Sequence, residues 1–398
     1  MQLREAQVVL LMQGPVGPLL AKLALKLSRK GKLVHRVVFN GGDRQGARGH
    51  PKHLLHRFNW PMDTLPKWFK SLCLRHRVDT VVLFGLSRPC HAAVIPVAKA
   101  MGIKVVVMEE GYFRPGFMTM ELDGVNGNSK TLDRFECDPS PIKAPTPHPD
   151  VCKHHFFKTV VHAMRYYWAM AWHRRAFPNY VHHRETSVIW YARYWIKSWF
   201  TKWRRYKKDH ALHQCLVKMG PPYFFVPLQH EGDSQITEHS GYENNQHFIE
   251  EVICSFAAHS NSGHVLLFKE HPMSRGGQLS QAWIERCALE RGVDLRVMHV
   301  VEGHNPTLIS QAQGVVVINS TMGLQAIQKH KPVKTMGQSL YDRPGVTFQG
   351  SLDEFWKTPT APDPAVTDEF LSRLKRLTQV PCSVYANAHE PWPALSRL

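Results

Sequence analysis

No stretch of the chain reaches the roughly 18 consecutive apolar residues that a bilayer span requires. The eight cysteines, at positions 73, 90, 137, 152, 215, 254, 287 and 382, never fall at CxxC spacing. That excludes a zinc knuckle or a dithiol redox pair and fits a reducing compartment. HExxH, GxSxG, GxxxxGKS/T and DxD are all absent, so zinc-protease, serine-hydrolase, P-loop and metal-bound nucleotide-sugar chemistries lack their signatures. The 25 histidines are dispersed along the sequence and define no metal site by spacing. Acids are scarce: 32 Asp and Glu face 50 Lys and Arg, a formal charge of +18. An anionic partner follows, whether nucleic acid, an acidic membrane or a negatively charged small molecule. Met1 to Glu5 put an acid before a strand-length apolar run, where a signal peptide needs a basic end. A cytoplasmic protein is expected, with room for contact at a membrane surface.

With 398 residues and 43% hydrophobic content, the chain is long enough for two ordinary domains. Val8 to Met12, Val34 to Phe39, Thr80 to Phe84 and Ile103 to Met108 read as buried strands. Helices are expected from Leu19 to near Gly31 and from Pro89 to Ala100. A second alternating series runs through strands 223–227, 265–269, 295–298, 315–318 and 333–336, with helices around 245–258, 280–291 and 307–311 and from Thr321. Alternating strands and helices predict parallel sheets, hence two Rossmann-like domains facing a cleft. A proline-rich stretch, 139–149, suits a linker between them.

Residues 151–213 differ from both halves, with many Lys and Arg interleaved with tryptophan and tyrosine. Trp195, Trp199 and Trp203 repeat every four residues and share one helical face. Tryptophan beside cations suits a helix lying on anionic lipid, since the rings sit at headgroup level and the cations meet phosphates. The same pattern also fits a hairpin packing its rings on the protein's own core. A nucleic-acid patch is disfavoured because no binding module frames it.

Ligands in open α/β sheets bind beyond the carboxyl ends of the strands, so polar strand ends are the places to search. In the first half these are Gln13-Gly14 with Gly17, then Asn40-Gly41-Gly42-Asp43, then Glu109-Glu110-Gly111. Residues 112–116, with Arg114, and 124–129, with Asn126, read as irregular segments rich in hydrogen-bonding groups. In the second half the strand ends carry Gln229 with Asp233 and Ser234, Lys269 with His271-Pro272, and Asn319-Ser320-Thr321 opening a helix. Hydroxyls and free N–H groups at a helix start suit phosphate or carboxylate. Adjacent strand residues point to opposite faces, so one of Glu109 and Glu110 at most faces a given cleft.

Taken in order, Leu11-Met12-Gln13-Gly14-Pro15 with Gly17-Pro18, Asn40-Gly41-Gly42-Asp43, Glu109-Glu110-Gly111-Tyr112 with Arg114-Pro115, and Gly124-Val125-Asn126-Gly127 form a distinctive series. It continues with Pro227-Leu228-Gln229 and Asp233-Ser234-Gln235, Lys269 and His271-Pro272, Ile318-Asn319-Ser320-Thr321, and Tyr341-Asp342 with Pro344-Gly345. The series resembles the capsular polysaccharide β-Kdo transferases of the KpsS/LipB type from Gram-negative bacteria and spans residues 8 to 348.

The resemblance implies a two-domain fold similar to the B-type glycosyltransferases, with a basic aromatic helical insertion. It implies transfer of the first β-Kdo from CMP-Kdo to a phosphatidylglycerol acceptor at the cytoplasmic face of the inner membrane, without a metal or other cofactor. His271 and the Asn319-Ser320-Thr321 turn are then implied to hold the CMP phosphate and the Kdo carboxylate, and Glu110 to carry the chemistry with Glu109 in support. Glutamate replaces the aspartate of related transferases, and residues 44–58 lack the aromatic run such proteins carry. The implied layout is an acceptor and catalytic domain over 1–150, the basic tryptophan-rich segment over 151–215, a nucleotide-binding domain over 216–345, and a tail, 346–398, packing back on the first domain. Other capsule assembly proteins are expected as partners, and nucleic acid is not. A rival from another class is a non-catalytic membrane-surface adaptor in capsule export.

Overall fold

A computed structural model describes residues 3–131, 156–182 and 188–384, apart from 276, 278, 279 and 383. The expected linker at 139–149 and the end of the tail, 385–398, lie outside the described residues. The chain divides into two compact units, residues 1–186 with 373–398, and residues 187–372.

In the first unit the order is β1 (Val8–Leu11), α1 (Leu19–Ser28), β2 (Leu33–Val38), α2 (Gly41–Gly46), β3 (Leu55–Arg57), α3 (Leu65–His76), β4 (Thr80–Phe84), α4 (Pro89–Ala92), α5 (Ile95–Ala100), β5 (Lys104–Glu110), β6 (Phe117–Leu122) and α6 (Phe156–Trp172). The second unit follows with α7 (Val188–Met219), β7 (Tyr223–Pro227), α8 (Ser234–Glu238), α9 (Asn245–His259), β8 (Val265–Lys269), α10 (Gln281–Glu290), β9 (Val297–Val300), α11 (Asn305–Gln311), β10 (Gly314–Val317), α12 (Thr321–Ile327), β11 (Val333–Thr335) and α13 (Leu352–Phe355). After α14 (Pro364–Thr378), β12 (Gln379–Pro381) returns to the first unit's sheet.

The first sheet runs β12-β6-β5-β4-β1-β2-β3, the second β11-β10-β7-β8-β9. Within each, the parallel strands reverse order beside the first strand of the unit, at β1/β4 and at β7/β10. Those are the switch points where a doubly wound sheet opens a crevice. Both sheets are Rossmann-like, and the first departs from an all-parallel arrangement because β6 runs antiparallel to its neighbours β5 and β12 near one edge.

The central strands of the first sheet, β1, β4 and β5, are mostly apolar and are covered on both faces. Val9, Leu11, Val82, Val106 and Met108 pack with Leu19, Leu23 and Leu27 of α1. Leu10, Val81, Val105 and Val107 pack on the opposite face with Phe69 and Leu72 of α3 and Ala98 of α5. In the second unit, Phe224, Val226, Leu266 and Phe268 meet Phe248, Val252 and Phe256 of α9 and Trp356.

Two local expectations are corrected. The helix expected over 89–100 is two helices, because Pro96 has no N–H for the carbonyl of Ala92 and its ring crowds that carbonyl. Glu109 and Glu110, expected just past a strand end, are the last two residues of β5. Between the two irregular segments, residues 117–122 form β6 and extend the ladder, with Glu109 opposite Thr119 and Glu110 opposite Met118.

The basic aromatic stretch forms α6 and α7. One face of α7 packs on the second unit: Asp209, 1% exposed, accepts from the Val301 and Glu302 N–H groups at 2.8 and 2.9 Å. Arg205 donates to Gln281 Oε1 and to the His299 carbonyl. On the rest of the helix surface, Trp195, Trp199 and Trp203 are 46, 68 and 65% exposed, so the rings do not form a core.

Candidate functional site

The strand ends of the first unit bring Gln13, Asn40 and Asp43 into one buried network. Asn40 caps α2 by accepting from the Asp43 N–H at 2.9 Å. Asp43 Oδ2 accepts from Gln13 Nε2 at 3.0 Å and from the Phe39 N–H at 3.1 Å, while Tyr166 donates its hydroxyl to Oδ1 at 3.0 Å. Tyr166 in turn accepts from Asn40 Nδ2, and Tyr180 accepts from Gln13 Nε2 at 2.9 Å. Burial pushes the Asp43 carboxyl up, against the pull of these donors and of the Arg88 charge. Such a network holds loops to one another, because its acceptors are already engaged.

The glycines nearby serve the same packing. A Cβ on Gly41 would lie 2.1 Å from the Ala169 carbonyl of α6, and one on Gly42 2.5 Å from the Tyr166 ring. The space at Gly41 is thus filled by helix. Gly14 accepts through its carbonyl from Arg88 Nη1 at 2.8 Å, which ties the loop after β1 to the loop after β4 across the switch point. Gly17 turns the chain with φ of 108°. Tyr166, Tyr180 and Arg88 escaped the sequence reading. The tyrosines lie more than 120 residues from Asn40 and Asp43 and carry no motif.

At the end of β5, strand alternation separates the two glutamates. Glu109 shares the face of Val105 and Val107, and its Oε2 accepts from Asn126 Nδ2 at 3.0 Å. The Asn126 N–H donates to the Tyr112 hydroxyl, which donates to Glu121 Oε1, both at 2.6 Å. Glu121 is 1% exposed and also accepts from the hydroxyls of Ser129 and Thr131. Burial and the Glu121 charge hold the Tyr112 phenol well above its usual range, so it stays a donor. Glu110 shares the other face with Met108. Its carboxylate is 39% exposed and pairs with Arg114 Nη1 at 2.6 Å. Arg114 is fixed from its own turn by donating Nε–H to the Gly111 carbonyl.

In the second unit, the ends of three adjacent strands, β10, β7 and β8, carry the remaining candidates. Gln229 and Asn319 bridge the β7/β10 switch point: Gln229 Nε2 donates to Asn319 Oδ1 at 3.1 Å, and the Asn319 N–H donates back to Gln229 Oε1. Asn319 Nδ2 also donates to the carbonyls of Gln235 and His239. Ser320 caps α12 by accepting from the Met322 N–H, and Thr321 opens that helix. Asp233 caps α8, while the side chain of Ser234 lies outside the described residues.

His271 Nδ1 accepts from the Met273 N–H at 3.1 Å, and Pro272 opens the short 3-10 turn between them. Burial, then the neighbouring His230 and Lys269, bring its pKa down to about 4. The ring is therefore neutral at pH 7 with its proton on Nε2, a donor suited to an anionic oxygen. Lys269 is 6% exposed, and burial lowers its pKa while Glu302 opposes the shift. The two units thus offer different chemistry: a half-exposed carboxylate in the first, and imidazole, ammonium and amide donors in the second.

Among the described residues, one set of side chains has the proximity of a metal site, His35, His56 and His76. These histidines are dispersed in sequence and adjacent in space. They lie at the β2–β3 edge of the first sheet, the opposite edge from β5 and β6. No described helix is long and apolar enough to cross a membrane.

Residues 79–385 match the family model described as capsule polysaccharide biosynthesis protein. The chain is 38% identical to the capsule polysaccharide export protein KpsS of Escherichia coli, over 94% of this chain and 96% of that protein. It is 33% identical to the capsule polysaccharide modification protein LipB of Neisseria meningitidis, over 98% of this chain and 94% of that one. A solved structure, the beta Kdo 2,7 transferase of Thermosulfurimonas dismutans KpsC, aligns with a TM-score of 0.45 at 13% identity, over 94% of this chain and 92% of that chain.

Proposed function

The chain belongs to the capsule polysaccharide biosynthesis family, and from that premise we propose that it is a glycosyltransferase moving β-Kdo from CMP-Kdo to a phosphatidylglycerol acceptor, the step that starts the lipid linker of a capsular polysaccharide. The observation that carries this reading is Glu110, a carboxylate 39% exposed at the carboxyl end of β5 and held by Arg114 at 2.6 Å. Breaking the bond between the anomeric carbon and the CMP phosphate builds positive charge on the sugar, which one nearby carboxylate stabilises. In a retaining transfer Glu110 attacks that carbon and forms a glycosyl-enzyme. In an inverting one it takes the proton of the acceptor hydroxyl. Glu109, bonded to Asn126, supports the strand.

The donor's anionic groups fall to the second unit in this reading. Lys269 and the Nε2–H of His271 meet the leaving phosphate, and the Asn319-Ser320-Thr321 turn receives the remaining phosphate or carboxylate oxygens. Side chains thereby supply the charge neutralisation that a metal supplies elsewhere. In this reading the protein sits on anionic lipid at the cytoplasmic face of the inner membrane, beside other capsule assembly proteins, and the exposed tryptophans of α7 with the cations between them support it.

The test is conversion of CMP-Kdo and a short-chain phosphatidylglycerol to a glycolipid by the purified protein. Glu110→Gln is expected to lose at least about 100-fold in rate, with unchanged thermal unfolding and CMP binding. Full activity in that variant removes Glu110 from the mechanism. Undetectable CMP binding by calorimetry, with strong binding to anionic vesicles, would instead identify a non-catalytic adaptor.

A further inference from the structure

We propose that His35, His56 and His76 form a site for a divalent transition-metal ion of the Zn2+ class, at the β2–β3 edge of the first unit's sheet. His35 lies on β2, His56 on the neighbouring parallel strand β3, and His76 in the last turn of α3. One ring nitrogen from each lies within 4.8 Å of the other two. His35 Nδ1 and His56 Nε2 are 2.8 Å apart and share a proton, and the three ring centroids are 4.4–5.0 Å from one another. Zn–N bonds of 2.0–2.1 Å in tetrahedral geometry put ligand nitrogens about 3.4 Å apart. Side-chain shifts of about an ångström therefore close the set around an ion, which replaces the shared proton.

His35 is 1% exposed, so burial in the sheet fixes its ring with Nδ1 facing His56. Burial first, and neighbouring histidines second, hold His35 and His56 to a pKa of about 4. At neutral pH both are uncharged imidazoles with a lone pair, the form that ligates metal. The groups around the cluster are His50, His53 and the cations Arg36 and Arg75. Three imidazoles without a carboxylate suit Zn2+, Ni2+ or Cu2+ and not the oxygen-seeking Mg2+ or Ca2+. Solvent takes the fourth position. A bound ion would pin the short edge strand β3 and the end of α3 to β2.

The experiment uses untagged full-length protein, stripped with a chelator and titrated with Zn2+ by calorimetry and with Co2+ by visible absorption. One tight equivalent is expected, with the absorption of tetrahedral Co2+ and an unfolding midpoint that climbs with free Zn2+. His56→Gln and His76→Gln are each expected to weaken that equivalent by at least about 100-fold, more than loss of an outer-shell partner does. Their metal-free unfolding should stay close to that of the parent. With 25 histidines in the chain, weak binding elsewhere is expected, so the difference between parent and variants decides. A parent with no tight equivalent, or variants that keep it, would overturn the site. Should His35→Gln fail to fold, the half-buried His76→Gln carries the comparison.

Discussion

Replacing Trp195, Trp199 and Trp203 together by alanine separates membrane contact from folding. Exposures of 46, 68 and 65% leave roughly 450 Å² of these residues in solvent, taking about 250 Å² for each tryptophan. Immersing half of that in a headgroup layer is worth about 5 kcal/mol at 25 cal/mol per Å². At 1.4 kcal/mol per tenfold, this is up to about 10⁴ in partitioning. The indole N–H groups and incomplete insertion reduce the figure, so a loss of about 10²–10⁴-fold in vesicle affinity is expected. The assay is sedimentation with phosphatidylglycerol-containing vesicles at several salt concentrations. The parent should bind less as salt rises, because exposed charges are screened over about 8 Å at physiological ionic strength. Alanine keeps helix propensity and the rings leave no core cavity, so the unfolding free energy should change by no more than about 0.5 kcal/mol per site. Unchanged vesicle affinity with a large fall in unfolding temperature would refute the reasoning, since it would mean that the rings pack within the protein.

Gly41→Ala should destabilise the first unit by about 1–3 kcal/mol, because the new Cβ would sit 2.1 Å from the Ala169 carbonyl and α2 or α6 must move; thermal unfolding reads the loss. Trp356→Ala should cost about 3–5 kcal/mol in the second unit: the ring is fully buried, lies edge-on to Phe224 and Phe256, and donates Nε1–H to Ser255 at 2.7 Å. Metal-free protein should lose stability as pH falls from about 6.5 toward 4. The depressed pKa values of His35 and His56 mean that the unfolded chain binds protons in that window while the folded one does not. The pair contributes about 2–4 kcal/mol to that loss after allowance for solvent at the sheet edge, measurable as a falling urea midpoint, and stability is flat in this respect above pH 7.

The central strands were legible because they are buried on both faces and read as runs of valine, leucine and phenylalanine. Thr80–Phe84, Tyr223–Pro227 and Val265–Lys269 fall where the sequence puts them. Leu-His-Arg of β3 and Gln-Val-Pro of β12 carry no such pattern. Each is three residues long and exists through pairing with a partner, for β12 one about 260 residues away. β6 was hidden for a related reason, since Phe-Met-Thr-Met-Glu-Leu mixes a buried carboxylate into an apolar run. A signal for α3 was present in Leu65, Phe69, Leu72 and Cys73, which fall at helical spacing and are buried. Of the candidate site, the strand-end position singled out Gln13, Asn40, Asp43, Gln229 and Asn319. What those residues bond to comes from distant segments, and sequence spacing says nothing about such partners.

Burial and hydrogen bonding sort the carboxylates of the first unit into two kinds, which bears on the one proposed to react. Asp43 and Glu121 are inside, and each takes three donors, from amides, a backbone N–H or hydroxyls. Neither can attack a carbon or take a proton without giving up bonds that are costly to leave unmade in the interior. Their work is to set geometry on one side of the sheet. Asp43 fixes the loops after β1 and β2 against Tyr166 of α6. Glu121 fixes Tyr112, which holds the Asn126 N–H, while the Asn126 amide holds Glu109. That chain of bonds ties the end of β5 to one face through Glu109. Strand alternation then requires Glu110 to leave from the other face, where its carboxylate is partly exposed and its partner is a cation on the adjoining turn. Arg114 gives the carboxylate a charged partner, and partial exposure leaves it within reach of solvent. Of two adjacent glutamates identical in sequence terms, the fold therefore ties one to Asn126 on one face and sets the other beside Arg114 on the opposite face, the arrangement the proposed role of Glu110 requires.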